Sequence, residues 1–166
     1  MRISNRQVFL GMWVVCAGLI AGALYLQHAQ HLNPCPLCIV QRYGFIIIGL
    51  VALAAFIHNP GPFGARIYGV LLACISLAGA AVAIRHLWLI HHPEQALGCG
   101  PGLGYMLNNF SLSRALPMIF RGTGECALET WRLWGLTIPG WALVWFALLF
   151  VASAVVTVRP RPRRTV

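Results

Sequence analysis

"LNPCPLCIVQRYGFIII", residues 32–48, carries two cysteines three apart, an arginine one helical turn later, and the start of an apolar run that continues to residue 58. Pro36, between the cysteines, suits the first turn of a helix, where its missing N–H is no loss. The run behind it is long enough to cross about 30 Å of hydrocarbon at 1.5 Å per helical residue. A thiol pair and a fixed positive charge therefore stand at the mouth of a membrane-spanning helix.

The rest of the chain has the same character. It is 59% hydrophobic and 9% charged, with a mean hydropathy of +0.76, which leaves too little polar surface to cover a water-facing globule. Apolar runs at 8–26, 39–58, 67–90 and 139–158 predict four spans. The expected fold class is an all-α membrane protein, a four-transmembrane-helix bundle made by a single domain over 1–166. The connections are 27–38, "NPGPFGAR" at 59–66, and a long second outer loop at 91–138. The run at 8–26 is long for the apolar core of a cleavable signal peptide and reads as a retained first helix. "RPRPRR", at 159–164, reads as a disordered basic end.

Charge gives an orientation. All twelve basic residues are Arg and the acidic ones are Glu94, Glu125 and Glu129, for a formal +9. The arginines are scattered between apolar runs and form no aromatic-interleaved patch, which speaks against nucleic acid as a partner. Arg2, Arg6, Arg66, Arg159, Arg161, Arg163 and Arg164 all fall on one side of the four predicted spans. On the other side, Arg114, Arg121 and Arg132 are diluted over the loop that holds every acidic residue, and 27–38 has no Arg. Short cytoplasmic segments collect basic residues, so both termini are expected in the cytoplasm and both cysteine-bearing loops outside.

That topology sorts the six cysteines. Cys16 and Cys74 lie inside apolar runs, where a thiol behaves as a small hydrophobe. Cys35, Cys38, Cys99 and Cys126 share the outer face, a compartment that permits disulfides. A CxxC serves zinc sites, structural bridges and redox exchange alike. Zinc calls for a second closely spaced ligand pair, but 26 residues separate Cys99 from Cys126, and neither His28 with His31 nor His91 with His92 completes a recognisable set; no metal is expected. Fixed bridges stapling the outer loops of a non-catalytic scaffold or assembly factor are the alternative to redox exchange. What favours exchange is the setting: a helix N-terminus and a nearby cation both stabilise a thiolate, the species that attacks and leaves in disulfide exchange. Arg42, one turn beyond Cys38, supplies that cation.

Arg42 also points beyond thiol chemistry. An arginine about a turn inside an apolar run either snorkels to the interface or marks a ligand or charge path. In the second case it is a hydrogen-bond donor to a lipid-soluble carbonyl compound beside Cys38. A membrane quinone fits, since it accepts the two electrons a dithiol loses on becoming a disulfide.

"PCPLCIVQR" opening the second span, with "GCGPG" and "GTGECA" in the second outer loop and four spans around them, resembles the disulfide bond formation protein B (DsbB) family. These are bacterial inner-membrane proteins that reoxidise the periplasmic thiol oxidase DsbA and reduce quinone. The resemblance covers nearly the whole chain and implies a quinone-dependent protein-disulfide oxidoreductase with DsbA-like, lipid and quinone partners, the quinone being ubiquinone or menaquinone. It implies that Cys99 is attacked by the partner's thiolate with Cys126 as its disulfide mate, that Cys126 exchanges with Cys35, and that Cys38 meets the quinone beside Arg42. His86 resembles in position a histidine near the family's quinone site, or is a packed or interfacial histidine; Arg85 reads as a snorkelling anchor. Residue 41 is Gln where some members carry an acid, which puts a proton route there in doubt. "FSLSRALPMIF", 110–120, is either an amphipathic segment in the headgroup plane or a packed turn, and Glu125 and Glu129 read as a solvated face.

Overall fold

Helix ends are set by local chemistry. Ser4 and Gln7 cap each other, Ser4 N donating to Gln7 Oε1 at 2.8 Å and Gln7 N to Ser4 Oγ at 3.3 Å, and this capping box opens α1 (Asn5–Ala29). Cys35 is the N-cap of α2 (Pro36–His58), with Pro36 in its first turn. Asn59 closes α2 in the left-handed region, φ 42°, its N–H bonded to the Ala55 carbonyl at 3.0 Å. Gly61 then caps α3 (Pro62–His91), again with a proline in the first turn. The connection expected at 59–66 is therefore shorter, 59–61, because Pro62 starts a helix rather than breaking one.

The structure is a computed structural model that describes residues 4–29, 34–92 and 132–158. The expected sites Cys99 and Cys126, the 110–120 segment, Glu125 and Glu129 lie outside the described residues. After that stretch come two short antiparallel strands, β1 (Arg132–Leu133) and β2 (Leu136–Thr137), pairing Arg132 with Thr137 and Leu133 with Leu136. Trp134 and Gly135 both have positive φ, 51° and 83°, as a two-residue type I′ hairpin turn requires. This hairpin was not foreseen; it leads directly into α4 (Ile138–Val158).

The four helices among the described residues are all long and apolar enough to cross a membrane, and they bracket the four apolar runs read from the sequence. They pack in chain order, α1 on α2, α2 on α3, and α3 on α4. The buried stripe of α3 is Ala65, Gly69, Leu72, Ser76, Gly79, Ala83 and His86, stepping by three and four residues. Small side chains in such a stripe let helices in lipid approach closely, where dispersion contacts rather than water exclusion hold them. Gly79 is the tightest case: a Cβ there would run into the ring of Phe146 on α4, which itself stacks on Phe45 of α2 at 4.1 Å between centroids. Outward-facing Leu50, Ile57, Phe63, Leu77, Ile84 and Val151 are exposed, a surface suited to lipid. At one end Arg6 lies over the Phe56 ring and His58 meets Tyr68 Oη, so the start of α1, the end of α2 and the start of α3 come together. The cysteine pair is at the other end.

Candidate redox site

Cys35 caps α2 with sulfur where Ser, Asp or Asn would offer oxygen. Its Sγ accepts the Cys38 backbone N–H at 3.4 Å, one of the donors left over at a helix start. The helix turn then brings Cys38 Sγ to 3.3 Å from Cys35 Sγ, and His86 Nε2 of α3 stands 3.6 Å from Cys35 Sγ. On the far side of the imidazole, Gln41 Nε2 is 3.4 Å from His86 Nδ1. With the amide donating, Nδ1 is the acceptor and Nε2 carries the proton toward Cys35. In that tautomer the ring N–H and the Cys38 backbone N–H both face the Cys35 sulfur. The cluster is dry: Cys35 is 3% exposed, Cys38 7%, Gln41 4% and His86 0%.

The periodicity of the helices explains the convergence. Cys38, Gln41, Phe45, Ile48, Ala52 and Ala55 are buried on α2 at steps of three and four, so Gln41 occupies a core position beside the pair. His86 ends the α3 stripe, one turn beyond Ala83, and faces them.

Arg42 lies on the neighbouring face of α2, toward α1. Its guanidinium donates to Gln27 Oε1 and, at 3.2 Å, to the Ala23 carbonyl. It is a half-buried tie between two helices as well as a charge. Arg42, Cys38, Gln41 and Phe45 form one wall of a cavity of about 340 Å³ whose other walls are Leu19, Ile20, Ala23 and Leu26 of α1 and Trp134, Trp141 and Trp145 from the hairpin and α4. Trp134, 87% exposed at the hairpin tip, meets Trp141 edge-on at 6.2 Å. Both α1 and α4 line the cavity, and they touch each other only sparsely.

Of the residues singled out in the sequence, the structure brings Cys35, Cys38 and His86 together and sets Arg42 one turn away on the cavity side. His86 does not line the cavity; it reaches that wall only through Gln41. Gln41 and Gln27 are the site residues whose contacts sequence reading missed. Cys16 is buried in the main core and Cys74 is exposed on the outside of α3.

Four membrane-length helices holding a buried dithiol cluster against an apolar cavity define a multi-pass membrane protein of the thiol–disulfide class. A family model described as "Disulfide bond formation protein DsbB" matches residues 5–156. The chain is 46% identical to the Disulfide bond formation protein B of Aromatoleum aromaticum over 158 residues, 95% of each chain. It is 48% identical to that of an Azoarcus species over 86% of each, and 47% identical to that of Marinobacter nauticus over 95% of this chain and 94% of the relative. The chain belongs to the DsbB family, and its role is in disulfide bond formation at the membrane.

Proposed function

We propose that the protein reoxidises a DsbA-like periplasmic thiol oxidase by disulfide exchange and delivers the two electrons to a membrane quinone, ubiquinone or menaquinone, from the bacterial inner membrane with both termini in the cytoplasm. The observation that carries the reading is the divided placement of the helix pair: Cys38 borders the apolar cavity beside Arg42, whereas Cys35 is held by His86 and its own helix start.

The cavity suits a quinone head group on its chemistry. Its volume falls within the roughly 300–1,000 Å³ of small-molecule sites. Its walls are mostly apolar, and Arg42 offers a charged donor for a carbonyl oxygen; two of the five guanidinium N–H groups are used on Gln27 and Ala23. A bound quinone supplies a two-electron, two-proton acceptor. The chain's own part is to form the Cys35–Cys38 bond, two S–H bonds being lost as one S–S bond is made. His86 Nε2 holds a proton at Cys35, and the apolar lining keeps water from the sulfurs. Electrons enter through Cys99 and Cys126: the partner's thiolate attacks Cys99, and Cys126 then exchanges with Cys35, each exchange breaking one S–S bond and making one.

The test is thiol trapping of the purified full-length protein mixed with a reduced thioredoxin-like dithiol protein. The expected result is a stoichiometric burst of partner oxidation without quinone and repeated turnover once a soluble ubiquinone analogue is added. Outer-loop bridges that stay unchanged in both conditions would identify a stapled scaffold instead.

A further inference from the structure

Cys35 Sγ, Cys38 Sγ and a His86 ring nitrogen all lie within 4.8 Å of one another, from two helices, in a buried cluster. We infer that this cluster, once reduced, is also a binding site for a thiophilic divalent cation of the Zn²⁺ or Cd²⁺ kind, and that the cation locks the pair in its dithiol state. Two sulfurs and an imidazole are the donors such ions prefer, and the absence of oxygen ligands from the set disfavours Mg²⁺ and Ca²⁺. Metal–sulfur bonds of about 2.3 Å and metal–nitrogen bonds of about 2.0–2.1 Å place tetrahedral ligand atoms roughly 3.6 Å apart for S to N and about 3.8 Å for S to S. Cys35 Sγ and His86 Nε2 are already 3.6 Å apart, the sulfurs, at 3.3 Å, need to part by about half an ångström, and Cys38 Sγ, within 4.8 Å of the imidazole, closes toward the same 3.6 Å by rotation of its side chain.

Two features beyond the ligands fit. An imidazole that ligates through Nε2 carries its proton on Nδ1 and needs an acceptor there. Gln41, 3.4 Å from Nδ1, provides one when its amide turns to present Oε1. The charges also balance: a dication with two thiolates is neutral, so the loaded cluster avoids the cost of isolated charge in a dry site. Loading breaks two S–H bonds, releases two protons and makes two sulfur–metal bonds, with no electron transferred. The disulfide has no thiolate to offer and does not bind. Spacing along the chain gave no hint of this set, because the third ligand comes from a different helix.

Cobalt(II) is the probe. The full-length protein carrying Cys99→Ala and Cys126→Ala, in detergent, is reduced, freed of reductant under argon and titrated. The expected result is one equivalent bound per chain, with the visible bands of tetrahedral cobalt and a near-ultraviolet thiolate-to-cobalt band, displaced one for one by Zn²⁺ and absent from the oxidised protein. Gln41→Leu should weaken binding about 10- to 100-fold, the usual effect of losing the group that orients a ligating histidine. His86→Gln should change the band envelope, with helix content checked by circular dichroism. No thiolate-to-cobalt band in the reduced protein, or a band indifferent to both substitutions, overturns the inference. The titration uses neither partner nor quinone, so its outcome is separate from that of the proposed electron transfer.

Discussion

Replacing Arg42 by Ala removes two things at once, a charge on the wall of the cavity and a tie from α2 to α1. The structure separates them. Gln27 and the Ala23 carbonyl accept from the guanidinium, and both belong to α1. A charge-assisted hydrogen bond to a ligand carbonyl in a partly dry site contributes about 1.5 to 3 kcal/mol. If Arg42 makes that bond to quinone, Arg42→Ala raises the quinone concentration for half-maximal turnover by roughly 10- to 150-fold. Arg42→Lys restores only part, because a point charge lacks the planar donor fork. Gln27→Leu keeps the guanidinium, its charge and its bond to Ala23, and removes only one acceptor; it should lower stability by on the order of 1 kcal/mol and shift the quinone dependence far less than Arg42→Ala. The assay is partner oxidation against quinone concentration for the three variants, beside a single-turnover reaction with the partner in the absence of quinone, which all three should leave near the parent rate. A Gln27→Leu variant that reproduces the Arg42→Ala phenotype, or an Arg42→Ala variant with an unchanged quinone dependence, would refute the reasoning and leave Arg42 as a structural tie.

Gly79→Ala should destabilise the bundle by about 1 to 3 kcal/mol, since its Cβ meets the Phe146 ring sandwiched between α3 and Phe45; thermal unfolding in detergent measures it, and an unchanged midpoint would contradict the packing described. Cys126→Ala should trap a mixed disulfide between Cys99 and a thioredoxin-like partner, because Cys99 lies among glycines in "LGCGPGLG" that let an extended segment enter a binding groove; peptide mapping that found Cys35 in the adduct would reverse the assignment. A periplasm-active reporter fused after Val166 should stay silent, following the Arg asymmetry, and activity there would overturn the topology.

The spans were legible because each is one apolar run, and membrane length leaves little freedom in placing it. Their ends were less so. The Ser4 and Gln7 cap and the Pro62 start lie outside the apolar stretches, so hydropathy cut α1 and α3 short. The hairpin at 132–137 is too brief for alternation to register, and its turn depends on positive φ at Trp134, a residue type with no preference for it. Within the site, Cys35, Cys38 and Arg42 announce themselves by spacing on one helix. The contact of Gln41 with His86 joins residues 45 apart in sequence, and that of Arg42 with Gln27 joins residues 15 apart; both depend on how each helix is rotated about its axis. A signal was present for His86, which continues the small-residue stripe through Gly79 and Ala83 on the buried face of α3. Gln41, a core position on α2 by the same count, was read only as a departure from an acid.

The central claim is that the Cys35–Cys38 pair passes electrons directly to quinone from the cavity edge. Anaerobic titration of the reduced Cys99→Ala, Cys126→Ala protein with a soluble quinone, counting quinol formed against thiols lost from Cys35 and Cys38, tests it without any partner. One quinol for each Cys35–Cys38 disulfide is the result expected. Thiols that persist in excess quinone, or quinol formed while both thiols remain, would contradict it.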